Sequence, residues 1–221
     1  MLTFIGIGPG DPELVTLKAV RLLREADAVA LSDKGVALHI VGDWIGGKPL
    51  LKLNLPMRGN RADWEKAHEA AADQLLDWLE RYPNVVFPVL GDPGVYATSS
   101  YLFRHVRPRH PCAVVPGVPA MCAAAAALGT PLCENGESLT VLDHFEEGAA
   151  LPEGNAVVMK AGSCLNALRR AAAGRRVSIA RNLGMENEWL GALADAPDGE
   201  GAYFTTAILP AREDARDGSL L

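Results

Sequence analysis

The chain lacks several features that mark particular classes of protein. Its four cysteines form no CxxC pair, so we expect neither a zinc site nor a dense disulfide framework. Its longest apolar runs, such as residues 84–90 and 123–128, are far shorter than the roughly 20 residues that cross a bilayer. Its net charge is −6, whereas a nucleic-acid-binding surface needs clustered Lys and Arg. We therefore expect a small-molecule substrate, no protein-bound metal, no membrane span and no nucleic-acid partner.

The N-terminus also lacks a targeting signal. Met1 leads directly into a strand-like segment, without the basic region, apolar region and small-residue cleavage site of a secretory leader. We therefore expect a cytoplasmic protein. With 221 residues, 49% of them hydrophobic, the chain can bury the core of one large domain or of two small ones.

Short apolar runs alternate with longer amphipathic segments in the first half of the chain. The patterns predict strands at residues 2–6, 27–31, 84–90 and 112–115, and helices at residues 13–25, 36–45, 62–82 and 119–128. Such alternation is typical of a mainly parallel sheet covered by helices.

The second half is richer in strand signals. They predict strands at residues 138–142, 155–160, 176–181 and 202–209, with one helix at residues 165–173. The predicted fold class is therefore α/β, with two domains at residues 1–113 and 114–221. Each domain is expected to have a mainly parallel or mixed sheet flanked by helices.

The first Gly/Pro-rich loop, residues 6–12, reads GIGPGDP and follows a predicted strand. A dinucleotide-binding GxGxxG would need a glycine where Asp11 stands. Asp11 before Pro12 instead resembles a helix N-cap, whose carboxylate would repel a phosphate. The loop also has no Lys-Ser/Thr pair, which excludes a P-loop. A dinucleotide-dependent oxidoreductase that uses Asp33 for the ribose remains an alternative.

Two further Gly/Pro loops follow strands, GDPGVY at residues 91–96 and PGVPA at residues 116–120. In α/β sheets, ligands bind outside the carboxyl ends of the strands. The three loops therefore predict one ligand site, and a zwitterion such as S-adenosylmethionine suits it. Asp92 could accept from an ammonium group or a ribose hydroxyl. Alternatively, Asp92 bonds its own backbone and the glycines only reverse the chain.

Four segments, in order, resemble the tetrapyrrole methylase family: GIGPGDPELVTLKAVRLLREADAVA, LPMRGNRADWEKAHEAA, VVFPVLGDPGVYATSSYLF and VVPGVPAMCAAAAALGTPLCENGESLTVL. The first and third fit many members of the family. A narrower set is similar to the branch that methylates precorrin-2 at C-20, namely Pro56-Met57-Arg58, residues 96–102, residues 128–142 and Val158-Met159-Lys160.

The resemblance implies a methyltransferase of corrin-ring (cobalamin) biosynthesis, usually a homodimer, that binds S-adenosylmethionine in the cleft between its domains and releases S-adenosylhomocysteine. Carried over by position, the donor-contacting residues are Pro9, Gly91, Asp92, Val95, Pro119, Ala120, Met159, Gly184, Thr206 and Ala207. Relatives commonly have Ser or Thr at Pro119-Ala120, so this chain lacks that side-chain hydrogen bond. Gly94-Val95 is similar to the branch that methylates precorrin-3 at C-17, which leaves another tetrapyrrole methylase as an alternative.

The implied acceptor carries many carboxylates, so its site should hold side chains that bind them by charge-assisted hydrogen bonds. We predict that the acceptor contacts are Arg58, Arg61, Thr98 and Ser99. A base must remove the C-20 proton after transfer, and the candidates are Tyr96, Glu137 and His39. A non-catalytic module that binds tetrapyrrole or donor is the remaining alternative.

Overall fold

The computed structural model describes residues 1–33, 35–56, 60–197 and 203–211. It divides into two compact units, Met1–Pro119 and Ala120–Leu221. Our predicted boundary, between residues 113 and 114, would cut through strand β5 (Cys112–Val115). Because β5 pairs with β1 (Leu2–Gly6) along its whole length, the chain completes the first sheet before it leaves the first unit.

The first unit is built on a parallel sheet of five strands in the order β3-β2-β4-β1-β5. The remaining strands are β2 (Ala28–Ser32), β3 (Leu50–Leu53) and β4 (Val85–Val89). The helices are α1 (Leu17–Glu25), α2 (Val36–Ile45), α3 (Arg61–Arg81) and α4 (Ser99–Val106). Every residue of β1 and β4 is buried, as expected for strands covered on both faces.

Alternation along the strands distributes side chains between two cores in the first unit. Leu2 and Phe4 of β1 pack with α3 and α4, whereas Ile5 packs with α1 and α2. Phe4 lies 5.5 Å from the Phe87 ring, centroid to centroid. The two faces of β1 are covered by different helices, so β1 is held between two helical layers.

The second unit has a mixed sheet of five strands in the order β6-β7-β10-β8-β9. The strands are β6 (Leu139–Leu142), β7 (Asn155–Val158), β8 (Ser178–Arg181), β9 (Trp189–Ala192) and β10 (Thr205–Leu209). Only β6 and β7 are parallel among these pairs. The helices are α5 (Ala120–Ala127) and α6 (Leu165–Ala171). A parallel sheet in one unit and a mixed sheet in the other confirm the predicted α/β class.

The predicted first helix began too early. Asp11 and Pro12 open a separate 3₁₀ turn, Pro12–Leu14, in which the Asp11 carboxylate accepts from the Glu13 amide at 2.8 Å. Helix α1 begins at Leu17, after Thr16 accepts from the Ala19 amide at 3.2 Å. Asp11 is therefore the N-cap that we predicted, but of a single turn.

None of the helices in the described ranges combines the length and the apolar character that crossing a bilayer requires.

Candidate functional site

Three loops meet beyond the carboxyl ends of β4, β1 and β5, which are neighbours in the first sheet. Past the end of β1, Ile7 donates its amide to the Val89 carbonyl at 3.0 Å. Gly91 then donates to the Gly8 carbonyl at 2.7 Å, which forms an isolated antiparallel bridge between the first two loops. Backbone hydrogen bonds therefore join the loops at residues 6–12 and 91–96.

The third loop, residues 116–120, packs against these two joined loops through glycine residues. A Cβ atom on Gly117 would lie 2.3 Å from the Gly91 carbonyl oxygen and 2.7 Å from the Gly6 Cα. A Cβ on Gly6 would lie 2.4 Å from the Gly117 nitrogen. These distances are much shorter than van der Waals contact. The neighbouring atoms belong to the backbone, so they cannot move aside as the end of a side chain could. Gly6 and Gly117 are therefore required for the three loops to approach one another.

Asp92 ties the second loop to the third. One carboxylate oxygen accepts from the Gly94 amide at 2.6 Å, and the other accepts from the Gly117 amide at 2.9 Å. The bond to Gly94 is the local turn that we gave as the alternative role of Asp92. The bond to Gly117 is long-range. Each oxygen keeps a further lone pair, so the half-buried carboxylate can still accept from an ammonium group or a hydroxyl.

Four of the predicted donor contacts of the second unit lie at one end of its sheet, and the fifth, Ala120, is the first residue of α5. Met159 follows β7 and donates its amide to the Leu142 carbonyl at 2.8 Å. Thr206 and Ala207 lie in the first half of β10, and Ala207 is the register partner of Val158. Gly184, with φ of +70°, follows β8, whose last residue pairs with the first of β10. The structure thus brings these four residues together within the unit.

The predicted acceptor contacts have different surroundings. Arg58 lies outside the described residues. Arg61 is highly exposed at the start of α3, and its Nε donates to Glu65 at 2.9 Å, which raises the pKa of the Arg61 guanidinium. Thr98 precedes α4. Ser99 is buried, and its hydroxyl has no hydrogen-bond partner among the described residues.

The three candidate bases are far from equivalent. Tyr96 is 48% exposed and adopts a φ of +46°, a left-handed conformation that is rare for a tyrosine. Glu137 accepts from the Asn155 side-chain amide at 2.8 Å, at the start of β7 and thus at the opposite end of that strand from Met159. His39 is exposed on α2.

Sequence reasoning missed two groups of side chains. One is an aromatic cluster in which the Trp64 ring lies 4.1 Å from His68 and 4.2 Å from Tyr101. The i,i+4 spacing of Trp64 and His68 on α3 was the available signal. The other is Asp143 and His144, which directly follow β6. Hydrogen bonding to Asp143 raises the pKa of the His144 imidazole above its ordinary value, with a smaller effect from Glu146.

Two of the known proteins that are similar to this chain have names that describe nearly the same activity. Precorrin-2 C(20)-methyltransferase of Sinorhizobium sp is 34% identical, over 95% of this chain and 95% of its own length. The Methanocaldococcus jannaschii protein named "Probable cobalt-precorrin-2 C(20)-methyltransferase" is 34% identical, over 62% of this chain. The match spans 61% of that relative's length.

Solved structures share the fold at lower identity. Cobalt precorrin-4 methyltransferase has a TM-score of 0.72 and 23% identity, over 95% of this chain and 94% of that one. Uroporphyrin-III C-methyltransferase from Thermus thermophilus, complexed with S-adenosylhomocysteine, has a TM-score of 0.64 and 24% identity, over 95% and 91%. The family model described as Tetrapyrrole (Corrin/Porphyrin) Methylases matches residues 1–193. The chain therefore belongs to the tetrapyrrole methylase family.

Proposed function

We propose that this chain is an S-adenosylmethionine-dependent methyltransferase that methylates precorrin-2, or cobalt-precorrin-2, at C-20. The family supports methyl transfer to a tetrapyrrole. The Sinorhizobium relative, which matches this chain over nearly its whole length, supports the C-20 position. The structural observation that carries the proposal is the joining of the three strand-end loops in the first unit, through Gly8–Gly91 and Asp92–Gly117.

Each unit contributes residues to the proposed donor contacts. In the first unit, the donor contacts the backbone of the joined loops at Pro9, Gly91, Val95 and Pro119. Asp92 accepts a hydrogen bond from the donor's ammonium group or from a ribose hydroxyl. In the second unit, the contacts are Ala120, Met159, Gly184, Thr206 and Ala207. The carboxyl ends of parallel strands suit this role because their loops present open backbone groups. The Gly6 and Gly117 contacts hold the loops together. We propose that the flanking residues meet the donor.

When bound, the donor supplies an activated methyl group on a sulfonium. C-20 of a reduced tetrapyrrole is an electron-rich meso carbon, so the chain needs no nucleophilic residue of its own. Its task is to hold the two reactants in line, and such positioning can account for about 7–11 kcal/mol of the barrier. Rigid loops suit that task, because they lose little conformational freedom when the reactants bind.

The acceptor side is proposed to use Arg58, Arg61, Thr98 and Ser99. Arg58 and Arg61 would bind carboxylates of the tetrapyrrole. Ser99 is the buried first residue of α4, so we propose that it shapes the acceptor side of the site. The homodimer and the cytoplasmic location both stay predictions.

Ligand binding tests the donor assignment. S-adenosylhomocysteine should raise the melting temperature, whereas NAD and NADP should not, because only a ligand of the folded state stabilises it. Stabilisation by a dinucleotide alone would favour the oxidoreductase alternative. Gly117→Ala provides the matched control, because the loops that form the proposed site cannot keep their contact with a Cβ at that position.

Product analysis tests the reaction and the methylated position. Incubation with precorrin-2 and donor should add one methyl group by mass, and the carbon-13 spectrum should assign it to C-20. A methyl group at another carbon would identify a different tetrapyrrole methylase. No added methyl group, despite donor binding, would identify a non-catalytic binding module.

A further inference from the structure

We infer that Arg104 binds a carboxylate of the acceptor, and that Tyr101 holds the Arg104 guanidinium in place for that contact. This inference rests on the proposed function and deepens its acceptor side. Both residues lie on α4, in the same unit as the acceptor contacts Arg61, Thr98 and Ser99.

The distribution of charge points to α4. The chain has a net charge of −6, yet residues 93–133 contain three arginines and two histidines and no Asp or Glu. Of these arginines, Arg109 is paired with Asp73 at 2.7 Å, whereas Arg104 and Arg107 lie over aromatic rings. A locally cationic segment in an acidic chain is the kind of surface that attracts a polycarboxylate.

Helices α3 and α4 begin at the same end of the first sheet as the three Gly/Pro loops. Helix α3 connects the parallel strands β3 and β4, and α4 connects β4 and β5. A helix between two parallel strands starts beyond the carboxyl end of the first strand and returns to the amino end of the second. The first turns of α3 and α4, which carry Arg61 and Thr98, therefore lie at the end of the sheet where the loops lie.

An aromatic contact joins the acceptor-side faces of the two helices. The Thr98 carbonyl accepts from the Tyr101 amide at 3.1 Å, so Tyr101 lies one turn further along the same face of α4. Trp64 has the same relation to Arg61 on α3. The Trp64 and Tyr101 rings meet edge to face, with their centroids 4.2 Å apart. The two faces are therefore held side by side.

The Tyr101 ring is fixed by its neighbours on α3. His68 is fully buried, and its Nδ1 donates to the Trp64 carbonyl oxygen at 2.8 Å. Its ring lies 4.1 Å from the Trp64 ring and 5.6 Å from the Tyr101 ring, centroid to centroid. Because both neighbouring rings are anchored to one helix, Tyr101 offers a face of fixed orientation.

Arg104 lies over the Tyr101 ring. Its Cζ atom is 4.7 Å from the ring centroid, and the side chain is exposed. Side chains on a helix point back toward its N-terminus, so the guanidinium lies nearer the first turn of α4 than its own Cα does. Arg104 has no carboxylate partner among the described residues, whereas Arg61 is paired with Glu65. A guanidinium stacked on a ring keeps the N–H donors at its edge available for a carboxylate.

The two arginines suit different carboxylates of one acceptor. Arg61 lies one helical turn before Trp64, and Arg104 lies one turn after Tyr101. A tetrapyrrole is a planar macrocycle with carboxylates around its edge. Cations that flank an aromatic contact therefore match both its apolar face and its charged edge. This arrangement favours an acceptor with several carboxylates over a small anion.

The test measures steady-state methylation of precorrin-2 by the full chain, comparing wild type with Arg104→Ala and Arg107→Ala. Arg107 is the matched control, because it is also exposed and lies over a ring, that of Phe103 at 5.6 Å, but directly after the last residue of α4. We expect Arg104→Ala to raise the KM for precorrin-2 by roughly 3–10-fold, between the effects of an exposed ion pair and of a charge-assisted hydrogen bond. Its kcat, melting temperature and affinity for S-adenosylhomocysteine should not change. Arg107→Ala should behave as wild type.

Variants of Tyr101 test its positioning role. Tyr101→Leu removes the ring beneath Arg104 and should raise the KM for precorrin-2, whereas Tyr101→Phe keeps the ring and should restore most of the wild-type KM. Because Tyr101 acts through Arg104, adding Tyr101→Leu to Arg104→Ala should raise the KM little further. Independent effects of the two substitutions would contradict the positioning role.

The outcomes separate the inference from the proposed function. A wild-type KM in Arg104→Ala, or an equal rise of KM in Arg107→Ala, would overturn the inference. Methylation at C-20 by the wild-type chain in the same experiment would leave the proposed function intact. A wild-type chain that binds the donor but methylates nothing would overturn both.

Discussion

The Asp92 carboxylate accepts a hydrogen bond from the Gly117 amide at 2.9 Å. The two residues are 25 positions apart in the sequence, so this bond joins the loops that follow β4 and β5. The same carboxylate accepts from Gly94 at 2.6 Å. Asp92, which the sequence alone would assign to a local turn, therefore holds two loops of the candidate donor site together. Its structural and its proposed ligand-binding roles depend on one side chain.

Asp92→Ala should weaken both the fold and donor binding. Two backbone amides lose a charged acceptor, which lowers the free energy of unfolding by about 1–3 kcal/mol. Asp92→Asn should be intermediate, because its single carbonyl oxygen cannot reproduce both bonds of the carboxylate. Urea denaturation and calorimetric titration with S-adenosylhomocysteine measure the two effects. Full donor affinity in Asp92→Ala would contradict the assigned role.

Gly117→Ala should be more disruptive to the site than its small size suggests. The added Cβ would lie 2.3 Å from the Gly91 carbonyl oxygen, so one of the loops must move. We expect a loss of about 1–3 kcal/mol of stability, as for other overpacked positions, and a loss of donor binding. The same two measurements apply.

Gly42→Ala is the matched control for that substitution. Gly42 lies inside α2, and a Cβ there would meet no atom within 4 Å. Because alanine is a better helix former, this variant should gain about 0.5–1 kcal/mol of stability and keep full donor affinity. If the two variants behaved alike, the close approach of the loops would not be what Gly117 provides.

The sequence predicted well those elements whose limits are set locally. Helix α2 is bounded by Gly35 and Gly46, and its predicted range of residues 36–45 is the observed one. By contrast, β3 and β9 were not predicted. β3 contains Lys52 and β9 contains Gly191, residue types that are depleted in strands, so neither segment has the short apolar run by which the other strands were predicted. Such strands are defined by their neighbours, which the local sequence does not reveal.

The candidate site was predictable in place but not in detail. Gly/Pro loops after parallel strands indicated which end of the sheet to consider. The sequence predicted that the three Gly/Pro loops form one ligand site. In the structure, the space beside the Cα of Gly6 is occupied by the Gly117 backbone, and the space beside the Cα of Gly117 is occupied by the Gly6 backbone. That contact joins residues far apart in sequence, so no local pattern could have predicted it.

The four cysteines should differ in their rates of alkylation. Burial raises the pKa of the thiols of Cys112 and Cys164, which lowers the fraction of reactive thiolate at a given pH. Cys122 and Cys133 are exposed. Iodoacetamide at neutral pH should therefore modify Cys122 and Cys133 first, and Cys164 only as the second unit unfolds. Peptide mass spectrometry over a time course measures this order, and early labelling of Cys164 would show that its surroundings open readily.

Arg61→Ala should weaken acceptor binding without affecting the donor. Arg61 is exposed, and among the described residues its ion-pair partner is Glu65 on the same helix, so its guanidinium can reach a carboxylate of the acceptor. We expect the KM for precorrin-2 to rise a few-fold, with an unchanged melting temperature and unchanged affinity for S-adenosylhomocysteine. The effect should shrink as ionic strength rises, because an exposed charge pair is screened by salt.

Two further variants make the interpretation of Arg61→Ala specific. Glu65→Gln removes the competing carboxylate and a negative charge near a polyanionic acceptor, so it should lower the same KM. The pair Arg21–Glu25 has the same i,i+4 geometry on α1, at 2.7 Å and with similar exposure of its glutamate. Arg21→Ala should therefore leave KM unchanged. If Arg21→Ala raised KM as much as Arg61→Ala, the cause would be the net charge of the protein, and Arg61 would have no particular place in the acceptor site.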